Sequence, residues 1–125
     1  MQRWGNGAMT TAGLRALRIF LSYSRTDKEF VDVLVSDLRR ALGNAETVWY
    51  DVYGLEAGDD WIGTIEREIS SRPVFIVVLS PDAVESYWVN EEIKIALSER
   101  KKIIPILYRP CRPRAMLGTR QMVDF

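Results

Sequence analysis

The sequence has no histidine, which excludes histidine-based catalytic triads, HExxH zinc sites and the commonest general base at neutral pH. It has one cysteine, Cys111, so an intrachain disulfide and a four-cysteine metal site are both excluded, and a lone thiol without histidine is a weak nucleophile. That usage fits a reducing cytoplasm. Basic and acidic residues balance at 17 each, which supplies no broad pull toward nucleic acid or an anionic membrane. Arg109, Arg112, Arg114 and Arg120 cluster late in the chain and read as a solvated surface patch. The longest uninterrupted apolar run, residues 74–79, is far below the roughly 20 residues of a membrane-spanning helix. Any catalysis must therefore rest on carboxylates, hydroxyls, arginines, lysines or backbone groups.

What is present is the composition of an ordinary globular domain, 47% apolar and 27% charged, in a chain of 125 residues that suits one hydrophobic core. Residues 1–16 include Gly5, Gly7 and Gly13 and show neither periodicity nor the apolar core of a secretory signal. They read as a mobile leader without chemistry. Residues 17–21 predict a first strand, ended by Ser22, Tyr23, Ser24 and Arg25. Thr26 and Glu29 match a capping box, so a helix is expected to start there, to bury Phe30, Leu34, Leu38 and Ala41, and to stop at Gly43 and Asn44. Residues 47–50, β-branched and aromatic, predict a second strand. The loop 51–60 is longer than most strand-to-helix connections, a length commonly tied to function. Asp59 or Asp60 can cap a helix with Ile62, Ile65 and Ile69 on its inner face, stopped by Arg72 and Pro73.

Residues 74–79 are apolar on both alternating faces, as expected of a central parallel strand covered on both sides. A helix is then expected from about 82 to 100, with Val89, Ile93, Ala96 and Leu97 as its core-facing stripe. Trp88 and Glu92 share a face at the border of that stripe, and Glu91 points elsewhere. A carboxylate beside an aromatic ring at the rim of a core is a candidate site; the plain alternative is a packing tryptophan and a solvated glutamate. Residues 103–107 predict a fourth strand, in which Pro105 favours an edge position, and residues 121–125 a short fifth. The alternation of strand and helix predicts an α/β fold, a flavodoxin-like, doubly wound five-stranded parallel sheet with helices on both faces. Ligands of such folds bind outside the carboxyl ends of the strands, where residues 22–27, 51–60 and 80–92 converge.

Four boxes, in order and spacing, resemble the Toll/interleukin receptor (TIR) domain family over residues 17–125. Ile19-Phe20-Leu21-Ser22-Tyr23-Ser24 followed by Asp27 is similar to the family's first-strand box. Trp49-Tyr50-Asp51 through Gly58 is similar to its second strand and BB loop, here with Leu55-Glu56-Ala57-Gly58. Val77-Val78-Leu79-Ser80 with Trp88 and Glu92 resembles the third box, and Gln121-Met122-Val123-Asp124-Phe125 the end of the fifth strand.

One branch of that family hydrolyses NAD and another only assembles signalling scaffolds. This chain is more similar to the hydrolases, including the metazoan axon-degeneration NADase and its bacterial relatives. Glu92 stands at their catalytic position, and the loop 51–60 lacks the proline common in receptor domains. It departs from that enzyme at Gly54, where a lysine stands, and at Asp60, where an aromatic stands. The resemblance implies an NAD+ nucleosidase that cleaves the nicotinamide-ribose bond to give nicotinamide and ADP-ribose or a cyclic form. NAD+ is then substrate, with no separate cofactor and no metal. Glu92 would be catalytic, Trp88 would wall the pocket, Arg25 would meet phosphate or ribose, and Ser22, Tyr23 and Ser24 would line the first loop. Trp61 would supply the missing ring, and Asp51 would fix the base of the loop more than touch substrate. Arg25 and the first-loop hydroxyls are equally readable as solvated or strand-end residues.

The resemblance further implies homotypic self-association, a fused or associated sensor module, a cytoplasmic location, and a role as effector in signalling or immunity, with no direct nucleic-acid partner and no membrane span. The helix that the family carries after its fifth strand is missing, which implies a domain excised from a larger protein. A non-enzymatic TIR scaffold is the rival reading. A phosphorelay receiver is excluded, because Ser22-Tyr23 and Ser80 stand where its aspartates belong, and Ser24-Arg25-Thr26-Asp27 is neither a dinucleotide fingerprint nor a P-loop.

Overall fold

The computed structural model describes residues 17–43, 47–50, 61–112 and 123–124. The elements run β1 (Ile19–Ser22), a 3₁₀ turn (Arg25–Asp27), α1 (Lys28–Leu42), β2 (Val48–Trp49), α2 (Trp61–Ser70), β3 (Val74–Leu79), α3 (Pro81–Glu85), α4 (Tyr87–Ser98), β4 (Lys102–Leu107) and β5 (Val123–Asp124). The strands form one sheet in the order β2-β1-β3-β4-β5, and every pairing is parallel. The α/β parallel-sheet reading holds, and the leader lies outside the described residues.

Strand alternation sorts the side chains onto two cores. Phe20, Phe75, Val77, Leu79 and Ile103 point to one face, where Ile65 and Ile69 of α2, Ala83 of α3, and Val89, Ile93 and Ala96 of α4 cover them. Ile19, Leu21, Tyr23, Ile76, Val78 and Ile106 point to the other, beneath Val31 and Val35 of α1. Phe20 anchors the first core, stacked between Phe75 at 5.5 Å and Trp49 at 5.1 Å; removing such a ring costs about 3–5 kcal/mol. The same alternation turns Ser22, two residues after Phe20, toward the α4 side.

Several sequence expectations change. Ala41 of α1 and Ile62 of α2, expected on inner faces, are exposed, and Phe30, Leu34 and Leu38 are half-buried, because Val31 and Val35, four residues apart, form the row of α1 that faces the sheet, and Ile65 and Ile69 the row of α2. The helix does not start at a Thr26–Glu29 capping box. Ser24 accepts from the Thr26 amide at 3.3 Å and opens a 3₁₀ turn, and α1 follows from Lys28 with Asp27 as an N-cap that makes no side-chain capping bond. The expected stop does occur at Gly43, which takes a left-handed φ of 74° that favours glycine. The helix expected over 82–100 is two helices. Ser86, extended at φ −74° and ψ 124°, ends α3 and caps α4 by accepting from the Val89 amide. Finally, β4 is not an edge. It pairs with β3 along its length and with β5 at Ile106 and Leu107, so on the β5 side the described ladder starts after Pro105 and the missing donor breaks no recorded pair there.

Candidate active site

The carboxyl ends of β1 and β3 meet the first turns of α4 here. In α4 the buried residues are Val89, Glu92, Ile93 and Ala96, the i, i+3, i+4, i+7 set of a core-facing stripe. Glu92 therefore stands inside that stripe, not at its border. It is 3% exposed, and the solvated-glutamate reading is overturned. The Ser22 hydroxyl donates to Glu92 Oε1 at 2.6 Å, across a buried contact between β1 and α4. The second carboxyl oxygen, Oε2, is buried with no hydrogen-bond partner among the described residues.

Burial pushes the Glu92 carboxyl up from 4.5 to about 7, and the Ser22 hydrogen bond opposes that rise. Near neutral pH the group thus divides between its neutral and charged forms. Among the described residues one oxygen is held and the other has no partner, and the surroundings penalise charge. Such a carboxyl gains from a cation or a hydrogen-bond donor placed against it.

The other expected site residues distribute as follows. Trp88 is half-buried, packs against the α4-side core and meets Tyr87 edge-on at 5.2 Å. Ser22, 1% exposed, joins Glu92. Ser24 is buried at the 3₁₀ turn, and Arg25, the next residue, is exposed. The Tyr23 ring lies in the opposite core, tilted against Tyr50 at 5.9 Å. Asp51 lies outside the described residues, and Trp61 opens α2 with its side chain outside them too. The structure thus brings Ser22 and Glu92 together and sets Trp88 one turn before Glu92 on the same helix.

Sequence reasoning missed a second buried polar link. Ser80 donates to Asp27 Oδ2 at 2.5 Å and accepts from the Ala83 amide at 3.1 Å, tying the 3₁₀ turn to the end of β3 and the start of α3. Asp27 was legible only as a residue of the first box; the signal for its partner was Ser80-Pro81, a cap followed by proline at the first helical position. Among the described residues no cluster of histidine, cysteine, aspartate and glutamate has the makings of a metal site, and no helix is long and apolar enough to cross a membrane.

Comparison with known proteins agrees with this architecture. The family model described as "TIR domain" matches residues 19–125. The chain belongs to the TIR domain family. Among curated relatives, the NAD(+) hydrolase PdTIR of Paracoccus denitrificans is 32% identical over 111 residues, covering 85% of this chain and 36% of that protein. The 2' cyclic ADP-D-ribose synthase BtTIR of Bacteroides thetaiotaomicron is 29% identical over 110 residues, covering 84% of this chain and 37% of the relative. This TIR chain thus spans little more than a third of the length of either. Among solved structures, the TIR domain of the Toll-related receptor TRR-2 of Hydra magnipapillata superposes with a TM-score of 0.73 at 29% identity, covering 86% of this chain and 82% of that one.

Proposed function

We propose that this TIR domain is an NAD+ nucleosidase in which Glu92 is the catalytic carboxylate. The observation that carries the reading is the state of that side chain, buried at 3% exposure, held by Ser22 through one oxygen and, among the described residues, without a partner on the other. Similarity to an NAD(+) hydrolase and to a cyclic ADP-ribose synthase supports it.

The chemistry suits a site without histidine. Breaking the nicotinamide-ribose bond returns the bonding electrons to the pyridinium nitrogen, so nicotinamide leaves neutral and needs no acid. Positive charge develops on the ribose, water adds to the ribose carbon, and one proton is released to solvent. One carboxylate therefore suffices where glycosidases of uncharged sugars use two. At about 4 Å and an effective dielectric near 20, opposite unit charges attract by roughly 4 kcal/mol. Confined to the transition state, that attraction is worth about a thousandfold in rate. Trp88 would wall the pocket, and Arg25, at the exposed start of the 3₁₀ turn, would meet phosphate or ribose; Ser24, Asp51 and Trp61 complete the proposed surroundings, from which Tyr23 drops out because its ring lies in the opposite core.

The proposal extends to homotypic self-association of TIR domains, to a sensor module in the same or an associated chain, and to a cytoplasmic effector role in signalling or immunity. Likeness to a receptor TIR domain supports a second reading, a non-enzymatic scaffold for homotypic assembly. Incubating the purified chain with NAD+ and separating products by chromatography tests both. Nicotinamide with ADP-ribose, linear or cyclic, is the expected result; intact NAD+ at protein concentrations that give self-association would favour the scaffold.

A further inference from the structure

The Ser22 hydroxyl has one proton to donate, and it goes to Glu92 Oε1 at 2.6 Å. Both groups are buried, at 1% and 3% exposure, so water does not compete for that proton. Among the described residues Glu92 Oε2 has no donor, so this single hydrogen bond is what fixes the carboxyl group's rotation. The arrangement follows from the backbone, since Phe20 sits in the core beneath α4 and Ser22 repeats its direction along β1.

We propose that Ser22 is a positioning residue for Glu92, acting through the carboxylate and not on the substrate. A hydroxyl already committed to an acceptor is no donor for a ribose or phosphate oxygen. Its bond to Glu92 strengthens as the carboxylate becomes charged, so it favours the form able to face a cation. Among the described residues no other titratable group takes over that task. β3 carries none, and the Tyr23 ring, just after β1, lies in the opposite core. Asp27 of the 3₁₀ turn is bonded by Ser80, and Cys111, packed against the α4-side core, is a thiol that burial keeps neutral. On α2, Glu66 and Arg67 are exposed and Glu68 pairs with Arg72. On α3, Asp82 and Glu85 are exposed, and on α4 Glu91 pairs with Lys94. Burial raises the Glu92 carboxyl and the Ser22 hydrogen bond lowers it.

The inference rests on the nucleosidase reading for its catalytic half but is readable without it. The test is Ser22→Ala, with the Glu92 side-chain carboxyl followed by carbon NMR across pH, its resonance identified by its loss in Glu92→Gln, and with kcat/KM for NAD+ measured over the same range. The expected result is a Glu92 midpoint moved up by about one pH unit, with the acid limb of kcat/KM following it, so that the rate at pH 7 falls about fivefold while KM is little changed. An unshifted Glu92 titration in Ser22→Ala overturns the proposal whatever the activity does, as does a raised KM at every pH with the limb in place. Absence of NAD+ cleavage in the wild-type chain would sink the nucleosidase reading alone, and the NMR titration would still decide the role of Ser22.

Discussion

Glu91 and Glu92 are neighbours in sequence and occupy opposite environments: Glu91 pairs with Lys94 at 3.0 Å on the outer side of α4, whereas Glu92 is buried against the Ser22 hydroxyl. About 100° of helical rotation separates them. Glu92→Gln is expected to lower NAD+ cleavage by about a thousandfold, the size of the lost electrostatic contribution, with the protein still folded. Glu91→Gln loses a surface pair worth about 0.3–0.5 kcal/mol and should keep near wild-type turnover. Steady-state kinetics beside circular dichroism checks both, and wild-type rates in a folded Glu92→Gln protein would remove Glu92 from the chemistry.

Because burial raises the Glu92 carboxyl to about 7, kcat/KM should climb with pH and level off above that midpoint. Stability should run the other way. Between about pH 4.5 and 7 the folded chain keeps a proton on Glu92 that the unfolded chain has already released, so this group's contribution to stability falls as pH rises through that window, by about 3 kcal/mol at most. Glu92→Gln mimics the protonated form and should lack that loss. Urea melts of both proteins at pH 4.5 and pH 8 measure it: curves whose separation is the same at the two pH values would contradict the buried, proton-holding carboxyl.

Ser80→Ala removes the donor to the buried Asp27 carboxyl group and the cap of the Ala83 amide together. Leaving such a group unmatched, plus losing a cap, costs about 2–4 kcal/mol. Thermal unfolding should move down by about 10 °C; an unchanged Tm would mean that water replaces the hydroxyl without penalty.

Asn90 is expected to be structural although it stands between Trp88 and Glu92. Its Nδ2 donates to the Val84 carbonyl at 2.9 Å and the Ser86 carbonyl at 2.7 Å, fastening α3 to the start of α4. Asn90→Ala should cost about 1–3 kcal/mol and speed amide hydrogen exchange in the first turn of α4, where the Asn90 amide bonds the Ser86 carbonyl. Exchange identical to that of the wild type would show that the joint holds without this side chain.

Much of the framework was legible because the relevant signals are local. The doubly apolar run of β3 announced a strand covered on both sides, and Gly43 announced the end of α1. Glu92 was picked out by its distance from Trp88, but its burial was not legible: hydrophobic periodicity assigns a charged residue to the polar side, and only the Ser22 hydroxyl, brought in by a strand far away in sequence, makes its interior position tenable. The capping box at Thr26 and Glu29 failed for a related reason. Asp27 is drawn inward to Ser80, which tightens residues 25–27 into a 3₁₀ turn and delays α1. The division of the helix at Ser86 could have been read, since Ser80-Pro81 and Ser86 are both cap signals, but the apolar stripe runs past the break and hides it.

That break also acts as a phase reset. In an unbroken helix every added or deleted residue upstream would turn Glu92 by about 100° about the axis. With Ser86 extended between α3 and α4, the rotational setting of α4 is taken from Val89, Ile93 and Ala96 against the sheet, not from where α3 begins. The aim of the carboxylate toward Ser22 is thereby set by packing against the sheet and not by counting residues from the end of β3, while the Ser80 cap and the Asn90 bonds to the Val84 and Ser86 carbonyls hold the two short helices together at the break.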